Sequence, residues 1–246
     1  MDIEVHVEIV VQRKSGDMRA IVQAFVRDLA GDEDAFLNVV DFLLSRLKDR
    51  DEIQRLTRVL DEAGSVWTPG LSGDHRYWEL QERVEDALQA TYTSAASARD
   101  NASTHLSRAW SEAFRRDPNA SAAYDEAVKA LEAAFQPIVL PSDATATLGK
   151  VVSAVNDKPV KFATALDGKG DGPEGVLAVV SSLNLIWRTQ VRHGSGTEGA
   201  PTTVTIEQAR DAVGLAASLI QMVRQGGFRL AKPVALSATS RQHSAP

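Results

Sequence analysis

The rhythm of apolar and polar positions changes early in the chain and then holds. Residues 1–12 alternate: Ile3, Val5, Val7, Ile9 and Val11 are apolar, with Asp2, Glu4, His6 and Glu8 between them. A period of two predicts a strand, and a lone strand in a helical chain needs a partner, for which a second copy of itself would serve. From Asp17 the spacing lengthens to three and four. Met18, Ile21, Val22, Phe25, Val26 and Leu29 mark a helix over 17–29. Phe36, Leu37, Val40, Leu43, Leu44 and Leu47 mark a second over 33–48. Ile53, Leu56, Val59 and Leu60 mark a third over 51–63, with Gly64 as its stop.

These short helices predict a small helical N-terminal module within residues 1–70. Trp67, Pro69, Gly70 and Gly73 make 65–73 the best internal boundary. Residues 76–116 hold no proline or glycine, and Leu80, Val84, Leu88, Tyr92, Leu106, Ala109, Trp110 and Phe114 can share a stripe. One long helix is expected there, with room for a kink in the Ser/Ala-rich 93–103. Asp117, Pro118 and Asn119 form a turn, with Asn119 or Ser121 as the next cap. A helix over 120–135 should be barred from continuing by Pro137 and Pro141. A shorter helix over 145–156 and an exposed loop over 157–172 follow.

The helix over 174–191 carries no charge between Gly175 and Trp187, which predicts deep burial. After a loop over 192–203 comes the last helix, over 205–224, with Thr205 as cap and Gln208 at the capping-box position. Gly226 and Gly227 end it. Residues 235–246, rich in Ser and Ala, are expected to be a disordered tail. The fold class is therefore all-α: an antiparallel helical bundle over 76–228 behind the small N-terminal module.

Composition narrows the chemistry. The absence of cysteine excludes disulfides, thiolate zinc sites and cysteine nucleophiles. No apolar run approaches the ~18 residues of a membrane span, and the first residues lack the pattern of a signal peptide. A cytoplasmic protein away from membranes is the expectation. The net charge of -6 is uneven. From Glu174 onward there are seven Lys/Arg and four Asp/Glu, so an anionic ligand is expected in that part.

The sharpest candidate is Leu185 to Gly194. Arg188 and Arg192 are one helical turn apart and share a face. Arginine suits bidentate phosphate contacts. His193 would point about 140° away from Arg188 on a continuous helix. Gly194 and Gly196 permit a turn that brings the imidazole back. Histidine can then move a proton near neutral pH while arginine holds a phosphodiester. The same spacing also suits two arginines that merely complement a helix C-terminus, beside an ordinary loop histidine.

Three segments occur in a telling order: Asp125 to Ala134, Thr147 to Lys150, and Arg188 to Gly194. Their order resembles the C-terminal domain of abortive-infection (phage-exclusion) proteins, which is similar to the HEPN superfamily. The resemblance covers roughly residues 76–228. It implies a helical bundle that dimerises and a metal-independent endoribonuclease with the motif Arg, four to six residues, His. Arg188 and His193 fit with four intervening residues.

In that reading Arg188 and His193 are catalytic, and two copies of the motif face one RNA-cleaving site across a homodimer. Arg192, Thr189, Glu132 and Lys129 support it, with Glu132 orienting an arginine. A solvated Lys129–Glu132 pair is the plainer alternative for those two. The role would be phage defence or a toxin's, without cofactor or metal, and a partner protein could regulate it. Thr189 stands where such motifs carry Asn or another strongly polar group. That departure keeps open a catalytically inactive module that dimerises or binds a partner protein or nucleic acid.

Other motifs carry less. Gly194 to Gly199 matches G-x-G-x-x-G but follows a helix instead of a strand, so nucleotide binding is not expected. Asp167 to Gly172 resembles a calcium loop but has Lys169 at a ligand position and Ala178 where a glutamate is required. His6, His75, His105 and His243 lack partners at metal-ligand spacing. Trp78, Trp110 and Trp187 fit apolar stripes and are expected in the core.

Overall fold

The computed structural model describes residues 27–29, 31–166, 173–189 and 203–231. The expected strand over 1–12, most of the helix over 17–29, the loop over 192–203 for the most part, and the tail over 235–246 lie outside these residues.

The described chain is mainly helical. Helix α1 (Glu33–Arg46) begins at Asp32, whose side chain accepts the Ala35 N–H. Helix α2 (Arg50–Glu62) is capped by Asp49 and stops at Ala63, where Gly64 takes φ +64°. Both match the sequence pattern.

The next segment does not. Strands β1 (Trp67–Leu71) and β2 (Trp78–Glu82) form an antiparallel hairpin where a boundary and a helix start were expected. Alternation within β2 explains it. Leu80 joins Leu37, Leu44 and Ile53 in a small core, while Glu79 and Gln81 face the other way. There the buried Glu79 accepts from Ser111 Oγ at 2.5 Å and Gln81 Nε2 at 3.0 Å. Burial pushes the Glu79 carboxyl up, and these two hydrogen bonds only partly offset it. The hairpin is thus shared: Asp41 accepts the Leu80 N–H at 2.6 Å, and Leu80 O accepts the Arg116 N–H.

The single long helix expected over 76–116 is divided into β2, α3 (Asp86–Ala95) and α4 (Asn101–Phe114). Asp100 makes the second break by accepting the Ser103 N–H, a local capping bond that competes with continued helix. Helix α5 (Ala120–Val139) starts at Asn119 as expected but runs through Pro137. Proline already has a helical φ, and its missing N–H removes one bond near the end of a long, well-packed helix.

Helix α6 (Leu148–Asp157) follows. The expected loop over 157–172 contains β3 (Phe162–Thr164), paired antiparallel with β4 (Phe228–Leu230). Phe162 stacks on Phe228 at 5.5 Å between ring centroids, and Phe228 also meets Phe135 at 5.2 Å. Burying these rings ties β4 to β3 and to α5 in the middle of the chain.

Helix α7 (Glu174–Thr189) buries Val176, Val179, Val180, Leu183 and Ile186. Its other face is open, with Leu177 40% and Leu185 63% exposed. The charge-free helix is therefore covered on one side only within the described residues, not deeply buried all round. Helix α8 (Ile206–Arg224) has the expected capping box between Thr205 and Gln208 and ends before Gly226 at φ +72°. Its Ala209, Ala212, Ala216 and Ala217 are buried in the same core as Ala123, Ala127 and Ala130 of α5. Small side chains let helix axes approach closely.

Candidate functional site

The end of α7 is held from two sides. Tyr124 of α5 donates its hydroxyl to Ile186 O at 2.8 Å, in a buried bond. Burial pushes the Tyr124 phenol up, against a smaller opposing hydrogen bond with Thr189. On the other side, the ring of Trp187 lies against Gly149 so closely that a Cβ there would stand 2.5 Å from Trp187 Cζ2. Glycine is the residue that this approach permits.

Arg188 projects from this fixed end. Its side chain is exposed and makes no hydrogen bond or ion pair among the described residues. Thr189 donates its hydroxyl to Leu185 O at 2.9 Å, within its own helix. Arg192 and His193 lie outside the described residues, as does the turn at Gly194 on which their approach to Arg188 depends.

Lys129 and Glu132 stand elsewhere. They line a cavity of about 600 Å³ between the start of α4, the second half of α5, residues 144–147 and the end of α8. Arg188 does not line it. The Glu132 carboxylate does not orient Arg188: its Oε1 accepts the Leu148 N–H at 2.7 Å and so caps α6, where Thr147 supplies no side-chain cap. Lys129 donates to Glu126 Oε1 at 2.6 Å, so the Lys129–Glu132 pair is not formed.

The other oxygen of Glu126 meets His105 Nδ1 at 2.7 Å. Burial pushes Glu126 up, but the hydrogen bonds from His105 and Lys129 outweigh it and hold the carboxyl below its ordinary value. Glu126 is then an acceptor, so the proton in that bond belongs to His105 Nδ1, and Nε2 is left for other partners. At the far wall, Arg224 Nη2 reaches Asp100 at 2.9 and 3.0 Å and Ser103 Oγ at 2.8 Å. No spacing in the sequence pairs His105 with Glu126 or Arg224 with Asp100; packing of three helices brings them together.

A scan of family models finds no match to this chain, and no curated protein or solved structure is found to be similar to it. Among the described residues no helix is long and apolar enough to cross a membrane.

Proposed function

We propose that the chain is a metal-independent endoribonuclease of the HEPN type, working as a homodimer in the cytoplasm, in phage defence or as a toxin. The observation that supports it best is Arg188: an exposed guanidinium with no partner among the described residues, on a helix end fixed by Tyr124 and Trp187. A cation that only complemented its own helix would have no need of so rigid a mount. The exposed, uncharged strip of Leu177, Ser181 and Leu185 runs up to it on α7 and offers a face to a second copy without like-charge repulsion.

In this mechanism His193 takes the proton of a ribose 2'-hydroxyl. The 2'-oxygen attacks the adjacent phosphorus while Arg188 neutralises the developing charge on the phosphoryl oxygens. The bond to the 5'-oxygen breaks, and that oxygen takes a proton from the partner's His193. The products are a 2',3'-cyclic phosphate and a 5'-hydroxyl. DNA lacks the attacking group.

One observation favours a second reading, the inactive module that dimerises or binds a partner protein or nucleic acid. The Thr189 hydroxyl is committed to Leu185 O and so is not a free polar group beside Arg188. Incubating RNA with the wild-type chain, Arg188→Ala and His193→Ala separates the two. The enzyme yields cyclic-phosphate ends with wild type alone; the inactive module yields none with any of them.

A further inference from the structure

The cavity between α4, α5 and α8 has a chemistry of its own, independent of Arg188. Its charges divide into groups already used and groups left over. Asp100 is used by Arg224 and the Ser103 N–H. Glu126 is used by Lys129 and His105, and Glu132 Oε1 by the Leu148 N–H.

The groups left over are mostly donors. Arg224 Nη1 is buried with no hydrogen-bond partner, although an unpaired buried guanidinium nitrogen is costly. Two of the three Lys129 donors remain after its bond to Glu126. The backbone N–H groups of Asn101 and Ala102 open α4, and both residues line the cavity. His105 also lines it, and with its proton on Nδ1 its Nε2 is an acceptor. One carboxylate oxygen is also free, Glu132 Oε2. No Phe, Tyr or Trp lines the cavity, so nothing there offers a base a stacking surface.

We propose that this cavity binds a small sugar phosphate. The phosphate sits toward the first turn of α4, taking hydrogen bonds from Lys129 and, once the guanidinium turns to meet it, from the now buried Arg224 Nη1, where a helix N-terminus also favours an anion. Glu132 Oε2 accepts from a hydroxyl of the sugar. A volume of about 600 Å³ accommodates such a ligand.

The test is isothermal titration calorimetry with the full chain, using ribose 5-phosphate, inorganic phosphate and ribose. Repeating it in Arg188→Ala removes any contribution of the exposed arginine and makes the result independent of the ribonuclease reading. Ribose 5-phosphate should saturate a single site, more tightly than inorganic phosphate, and ribose alone should give no saturable heat. Lys129→Gln should weaken both phosphates by about tenfold, the loss of one charge-assisted hydrogen bond. Glu132→Gln keeps an oxygen for the Leu148 N–H and should erase only the advantage of ribose 5-phosphate. Absence of saturation by either phosphate, saturation by ribose alone, or unchanged affinity in a natively folded Lys129→Gln chain would overturn the proposal.

Discussion

Two polar regions of this protein use their cations in opposite ways. In the α4–α5–α8 cavity, Arg224 and Lys129 are bound to carboxylates, and those carboxylates also hold a helix start or a histidine. At the end of α7, Arg188 is bound to nothing among the described residues, while the backbone beneath it is fixed. A half-buried pair whose carboxylate also holds other groups contributes to stability; a solitary exposed charge contributes little. The contrast therefore separates residues whose loss should unfold the chain from residues whose loss should silence it.

Removing a committed cation or crowding the mount beneath Arg188 should have the largest effects on stability. Arg224→Ala takes away three hydrogen bonds and leaves Asp100 with only the Ser103 N–H and solvent, so urea denaturation should show a loss of about 2 kcal/mol. An unchanged midpoint would mean that the cavity's charges are as idle as Arg188. Next comes the mount itself. Gly149→Ala presses a methyl group against Trp187 and should cost about 1–3 kcal/mol by overpacking. Cleavage of RNA should fall further than this destabilisation accounts for.

Two carboxylates respond to pH in opposite directions. Glu126 is held below its ordinary value of 4.5, so its ionised form stabilises the fold at neutral pH, and that share is lost as pH falls through the lowered value. Glu126→Gln should therefore lose about 1 kcal/mol at pH 7, with the gap to wild type closing in acid. Glu79 is raised instead, so its folded form holds a proton that the unfolded chain gives up first. Its stabilising share is present in acid and lost as pH rises through the raised value. Glu79→Gln keeps the oxygen for Ser111 and Gln81 without the charge and should gain up to about 1 kcal/mol at pH 7. Melting curves at several pH values test both signs together.

The smallest effect on stability belongs to Arg188→Ala. Its denaturation midpoint should stay within about 0.5 kcal/mol of wild type. A clear loss of stability would show that Arg188 serves the fold through a partner, and the contrast with Arg224 would vanish.

Much of the helical frame was legible because its signals are local. Asn119, Thr205 with Gln208, and the stops at Gly64 and Gly226 act within a few residues of themselves. The strands were not legible: β3 finds β4 only after α7 and α8 intervene, and Trp67–Leu71 looked like a boundary because Pro69 and Gly70 sit in it. The open face of α7 was missed because lack of charge states what a surface is, not what covers it. Arg188 could be named from spacing and resemblance. The cavity could not, since His105 and Glu126, or Arg224 and Asp100, meet only through tertiary packing.

The role of Arg188 is decided by the end chemistry of RNA incubated with purified wild-type and Arg188→Ala chains of equal stability. Wild type should leave 2',3'-cyclic phosphate and 5'-hydroxyl ends, and these should fall by about a hundredfold or more without Arg188. Equal cleavage by the two chains, or none by either, would rule out an RNA-cleaving role for Arg188.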